Sequence, residues 1–271
     1  MFNIWISDHL DFLQHLPFIF SVAVGLFFVI GWCYGKFLLR TGGRLVIKAT
    51  IASAIFGLSA LVLGFTFSSA ASHFDSRVNN IRAQAFTLNK VYQSVRSLNL
   101  VGQAALQQSL RDLLNLRLAT FKNLKSLDEL EERLQRWSDK LEEIDAAIST
   151  EAVNASAKDQ ALIDRYLRPQ FNNLVDSFTT GALIAKNHPP LIIVEFLFIM
   201  LCVSALLGGC AMAVEKEEDW LLTAIYLILM AYALFVIFSL EFPNQLFDFD
   251  TLNRELLQLQ NKMSLNSGVT K

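Results

Sequence analysis

The chain has 271 residues, 53% of them hydrophobic and 18% charged, with a mean hydropathy of +0.39. It is too apolar for an ordinary water-soluble domain and too charged to lie in a membrane throughout, so it must divide by region. Net charge is −2, and the stretch from His73 to His188 carries 15 Lys and Arg against 14 Asp and Glu, a balance that leaves no basic face for nucleic acid. Cys33, Cys202 and Cys210 all fall in apolar runs, which suits packing residues and leads us to expect no disulfide, no metal site and no cofactor.

Residues 1–15 form a short acidic segment with Asp8 and Asp11 and no Lys or Arg, which lacks the positive start and small-residue cleavage site of a secretory signal. Leu16 to Tyr34 then reads as a first membrane span, with Pro17 tolerable in its first turn and Trp32 and Tyr34 at its far end. Gly25 and Gly31 lie in it off the GxxxG spacing and read as ordinary membrane glycines. The loop 35–48 carries Lys36, Arg40, Arg44 and Lys48 without an acidic residue, around a turn at Thr41-Gly42-Gly43. Short loops rich in Lys and Arg stay in the cytoplasm, which places the N-terminus outside. The same four cations are also a candidate anion-attracting vestibule at a pore mouth.

From Ala49 to Ser72 there are 24 uncharged residues, enough to cross ~30 Å of hydrocarbon at ~1.5 Å per residue. Without proline or glycine from Phe65 to Leu98, nothing stops this second span at the interface. Beyond it Phe74, Val78, Ile81, Ala85, Leu88, Tyr92, Val95 and Leu98 recur by three and four, an amphipathic continuation of the same helix. At the exit lies a candidate interface cluster of Ser68, Ser69, Ser72, His73, Asp75 and Arg77.

Residues 73–188 read as an extracytoplasmic antiparallel helical bundle. After a turn at Val101-Gly102, Leu106, Leu110, Leu113, Leu114, Leu118 and Phe121 mark one stripe, with Arg111, Asp112 and Arg117 on the opposite face. Ser126 and Glu129 have capping-box spacing and open a helix with Leu127, Leu130, Leu134, Trp137, Leu141 and Ile144 inward. The charges from Asp128 to Glu143 fall between these positions and read as a solvated face with i to i+4 pairs. A loop is expected from Ser149 to Ser156. The last bundle helix starts near Ala157, with Leu162, Tyr166, Leu174, Val175 and Phe178 as core and Pro169 kinking or splitting it.

Residues 189–240 return to the membrane as two spans, Leu191 to Val214 and Trp220 to Leu240, joined by the acidic turn from Glu215 to Asp219. Glu195 is an ionisable residue inside the third span, a candidate by position but close enough to the interface to reach water, Lys186 or His188. In the tail, 241–271, Leu252, Leu256, Leu259 and Met263 make a short amphipathic helix on the bundle's side. The expected fold class is therefore an all-α integral membrane protein with four transmembrane helices, two before and two after a bundle continuous with the second span.

The order of elements, the run from Gly64 to Arg77 where the second span leaves the membrane, Ser109-Leu110-Arg111-Asp112 through Arg117, Asn173 to Asp176, Asn187 to Pro190, and Leu240-Glu241-Phe242-Pro243 together resemble the bacterial bestrophin-like membrane protein family, over about residues 50–250. The chain departs from the family pattern at Asn244-Gln245, where basic residues are usual. The resemblance implies a multi-pass protein of the bacterial inner membrane, self-associating as bestrophin anion channels do, with the lipid bilayer and an anion such as chloride as partners. The alternative is an extracytoplasmic sensor or scaffold anchored by four spans. His9, His15, His73 and His188 lack metal-ligand spacing, and no nucleophile elbow or phosphate loop is present, so we expect no enzyme.

Overall fold

Apolar runs of about twenty residues and stripes recurring by three and four both satisfy their backbones most simply as α-helices. The computed structural model describes residues 15–42, 49–98, 100–122, 124, 126–186, 191–214, 219–243 and 248–268, and every regular element among them is helical. In order these are α1 (Leu16–Arg40), α2 (Ala49–Ser97), α3 (Gln103–Thr120), α4 (Leu127–Asn154), α5 (Ala157–Leu162), a π-helical turn (Ile163–Leu167), α6 (Arg168–Lys186), α7 (Leu191–Val214), α8 (Trp220–Glu241), α9 (Phe249–Leu252) and α10 (Arg254–Gly268). Four of them, α1, α2, α7 and α8, are long and apolar enough to cross a membrane.

The chain clusters into two units. One holds α1, α2 up to Phe74, α7 and α8; the other holds α2 from Asp75, α3 to α6, α9 and α10. As the missing helix breakers predict, α2 is one helix of 49 residues.

In the first unit α1 packs along α7 with almost no side chain between them. A Cβ on Gly31 would overlap the backbone carbonyl of Leu206, and one on Gly209 would overlap that of Phe28. Gly35 faces Ala213, and the Cys210 thiol donates to the Gly31 carbonyl at 3.1 Å. Gly31 is thus a contact glycine, correcting its reading as an ordinary one, whereas a Cβ on Gly25 would meet nothing. The missed signal was the partner: the small residues Gly208, Gly209 and Ala213 on α7, which let two backbones meet where lipid gives no hydrophobic drive. Deeper in, Ser59 and Ser204 share a hydrogen bond at 2.6 Å, linking α2 to α7, and Phe20 packs on Phe198 and Phe238.

Helix α1 also runs past Tyr34 to Arg40, so Lys36 and Arg40 are helical rather than in a loop. Thr41 closes the helix, and Gly42 takes a φ of +76°, which a Cβ would strain.

The second unit buries the stripes read from the sequence: Leu88, Tyr92 and Val95 of α2, Leu106 to Leu118 of α3, Leu130 to Ile144 of α4, Leu174 and Phe178 of α6, and Leu256, Leu259 and Met263 of α10. Helix starts follow their caps, with Ser126 accepting from the Glu129 N–H and Ser156 from that of Asp159. Two expectations fail. Helix α4 continues through 149–154, because Ile148 and Ala152 extend the spacing of Ile144 and stay buried, which leaves only Ala155 and Ser156 between α4 and α5. Tyr166 is 51% exposed, while Ile163 and Leu167 are fully buried. Pro169 has no N–H to offer the carbonyl four residues back. The π turn that precedes it shifts the inward phase, so a 3.6-residue reading picks the wrong side chain.

Candidate functional site

The interface cluster gains a partner that the sequence did not single out. His73 Nδ1 lies 3.2 Å from Glu241 Oε2, which ties the end of the α2 span to the end of α8, and Glu241 is itself buried. Ser68, Ser69 and Ser72 lie exposed on α2, while Asp75 and Arg77 belong to the other unit. Lys36 and Arg40 stand one turn apart on α1, half-buried and exposed respectively. Arg44 and Lys48, the other half of the vestibule set, lie outside the described residues. Glu195 is exposed in the second turn of α7, and Lys186 is engaged elsewhere, with Glu131 at 2.6 Å. His188 lies outside the described residues.

The exposed face of α2 within its span has a composition of its own. Ser53, Gly57, Ala60, Gly64, Ser68 and Ser72 are all exposed and recur by three and four, so small side chains line one strip of the helix. A Cβ on Gly57 or Gly64 would meet nothing. Of its most apolar stretch only 6% is buried, against 28% for α1, 33% for α7 and 17% for α8.

The second unit contains a polar cluster inside its core. Arg117, placed on the solvated face by the sequence reading, is 4% exposed. The correction was available in the spacing: Arg117 follows Leu113 by four and Leu114 by three, so it shares their inward face. Its Nε donates to Gln84 Oε1 at 2.7 Å, and the guanidinium lies over the rings of Phe121 (4.7 Å) and Trp137 (5.2 Å). Burial pulls its pKa well below the ordinary arginine range, to about 9, so at neutral pH it remains a cation. Gln84 in turn donates to the Ser177 carbonyl, as does Asn80, and Trp137 Nε1 donates to Thr120 Oγ1 at 2.8 Å. Gly181 leaves the room that Asn80 and Gln84 occupy, since a Cβ there would collide with both amides. Arg111, from the same motif, donates to the Tyr92 hydroxyl at 3.0 Å. Both arginines therefore fasten α3 to α2.

On the acidic run, Arg136–Glu132 is an exposed i to i+4 pair of the expected kind, while Lys140 pairs with Glu143 at i to i+3 and is itself half-buried. Arg133 does more: besides Glu129 it donates to the carbonyls of Ala119, Thr120 and Lys122, closing the C-terminal end of α3. Between α4 and α6 lies an open groove of about 590 Å³, floored by Trp137, Leu141, Phe171 and Phe178 and rimmed by Glu142 and Asp145. Lys140 and Lys186 each hold their glutamate partners, Glu143 and Glu131, below the usual carboxylate range through a side-chain hydrogen bond.

No family model matches the chain, and no curated protein does. Solved structures do match. A single-substitution variant of a bacterial bestrophin homologue from Klebsiella pneumoniae superposes with a TM-score of 0.66 at 14% identity, covering 92% of this chain and 99% of that one. A second variant of it gives 0.65 at 12% identity over 92% and 98%. Another crystal structure of the homologue, phased on zinc, gives 0.56 at 14% identity over 90% and 98%. The chain has the fold of these proteins over nearly its whole length.

Proposed function

From this bestrophin-homologue fold we propose that the protein is a channel-like membrane protein whose copies assemble around an anion path, with α2 facing the neighbouring copies. The observation that carries the reading is the uncovered strip of small residues on α2. Large apolar faces are content against lipid, but a strip of Gly, Ala and Ser is what lets helices of separate copies approach closely, and its serines are better matched to other helices or water than to hydrocarbon. Chloride is the expected ion, drawn towards the membrane by Lys36, Arg40, Arg44 and Lys48. No catalytic step enters this reading.

The same four cations favour a cytoplasmic position for the segment 35–48 in a bacterial inner membrane, with the bundle and both terminal segments on the other side. In a variant whose native cysteines are replaced, a cysteine introduced at the exposed Ser97 should react with a membrane-impermeant maleimide from outside intact cells. Labelling only after lysis would reverse the orientation.

The function test is halide flux in liposomes reconstituted with the purified protein, together with its mass in detergent. Flux above empty vesicles, falling when the four cations are changed to Gln, supports the channel. A well-folded protein without flux sinks it and leaves the second reading, a sensor or scaffold, which the groove between α4 and α6 favours as a place for a ligand or partner segment.

A further inference from the structure

Two surfaces of the bundle are unfinished, and their chemistries are opposite. On α2, Phe86 is 60% exposed, whereas Phe171 and Phe178 of the same unit are buried. Arg82 and Lys90 stand one turn to either side of it, both exposed, and the Lys90 Nζ lies 4.7 Å over its ring. Arg82 reaches Glu255 at 3.4 Å, but no carboxylate among the described residues pairs with Lys90. The second surface is the groove between α4 and α6. Glu129, Glu131, Glu132 and Glu143 of α4 are each held by a cation. Glu142 and Asp145, one turn apart on the groove's rim, meet none among the described residues. The other wall, on α6, carries Val175, Thr179 and Ala182, short enough to let a helix lie close. The two surfaces cannot meet within one copy, because Gln84 holds the opposite side of α2 against α3 and α6.

They do lie at the same level of the bundle. Gln84, Arg117, Ser177 and Trp137 form one layer. Helix α3 runs against both α2 and α4, with Arg111 bonded to Tyr92 and Ser109 to Glu143, so α2 and α4 point the same way. At ~1.5 Å per residue, Lys90 is ~9 Å beyond Gln84 on α2 and Glu142 is ~7.5 Å beyond Trp137 on α4. Rotation about an axis parallel to α2 keeps every residue at its level, and so brings Lys90 of one copy level with Glu142 of the next. We propose that the exposed face of α2 in one copy seats in the α4–α6 groove of its neighbour, with Phe86 over the floor at Leu141 and Phe178 and Lys90 against Glu142 and Asp145. The contact joins two different surfaces, so it repeats head to tail and closes a ring when the rotation divides the circle. It rests on the assembly of copies proposed above and supplies that assembly with a bundle interface whose two sides are named.

The test uses full-length protein in membranes of the expressing cells, with Cys33, Cys202 and Cys210 changed to Ala, carrying Phe86→Cys and Val175→Cys and oxidised with copper phenanthroline. A ladder of disulfide-linked multimers is expected. Pairing Phe86→Cys with Val153→Cys should give none, since Val153 is 82% exposed but ~16 Å past Glu142 along α4. Lys90→Glu should weaken the ladder severalfold, and adding Glu142→Lys and Asp145→Lys should restore it. Mass in detergent keeps two failures apart. A multimeric mass without a ladder, or a ladder indifferent to the charge exchange, overturns the groove contact and leaves the assembly standing. A monomeric mass without a ladder removes both. Should the cysteine pair not accumulate, the charge exchange is read as mass on protein without added cysteines: loss of the multimer in Lys90→Glu and its return in the triple variant support the contact, and a mass unchanged by Lys90→Glu overturns it.

Discussion

The two units solve opposite problems with the same element. The bundle must hide its apolar residues from water, and it does so within one chain: Leu88, Leu110, Leu113, Ile144 and Leu174 are fully enclosed, and the exposed positions of α4 are mostly charged. The membrane unit has no such obligation. Phe18, Leu58, Phe65, Ile192, Leu221 and Ile228 stand exposed because lipid will cover them, and the packing that matters there is between small residues. Burial is therefore informative in the bundle, where a buried polar group such as Arg117 stands out. In the membrane unit the informative feature is the reverse, an exposed strip that is neither large nor apolar.

That contrast can be broken in order of effect. Leu110→Ala in the bundle core should lower stability by about 2–5 kcal/mol, measured as thermal unfolding followed by tryptophan emission. An Ala substitution at the exposed Leu183 should do almost nothing. In the membrane unit, size matters in the other direction. Gly31→Leu should cost about 1–3 kcal/mol or more by forcing α1 off α7, read as monodisperse yield in detergent, whereas Gly25→Leu should be silent; equal yields would mean the close approach is not a constraint. Ser59→Ala should be smaller again, at about 0.6 kcal/mol, the mean measured for hydrogen bonds between membrane helices.

The smallest expected effect is electrostatic. Lys186 holds the exposed Glu131 carboxylate below its ordinary range, so whatever that pair adds is present above the ordinary carboxylate pKa and fades as pH falls through the lowered value. Glu131→Gln should leave unfolding unchanged within error at pH 7. A clear destabilisation there would show that the pair fixes α6 against α4.

Spans and core stripes were legible because period and length leave few options: each apolar run became a helix, and Leu256, Leu259 and Met263 were placed inward on spacing alone. What escaped were relations between elements. Gly31 gains its meaning from Leu206, and Glu241 from His73, more than a hundred residues away in each case. Arg117 is a different failure. Its spacing put it on the inward face, but its charge overrode the pattern, because a cation between two aromatic rings is not something one helix reveals. The exposed small-residue strip of α2 was fully present in the sequence and was obscured by the larger phenylalanines and leucines around it.

The π turn at Ile163–Leu167 has a consequence for how this bundle tolerates change in length. A single wide turn holds one more residue than an α-helix would need to reach the same place, so α5 and α6 each keep their own angular phase about a shared axis. Removing one residue there, Tyr166 being the natural choice since its ring faces outward, should convert the segment to plain α-helix with Phe171, Leu174 and Phe178 still inward. The same deletion anywhere between Phe171 and Phe178 has no slack to draw on and would rotate half of that stripe by about 100°.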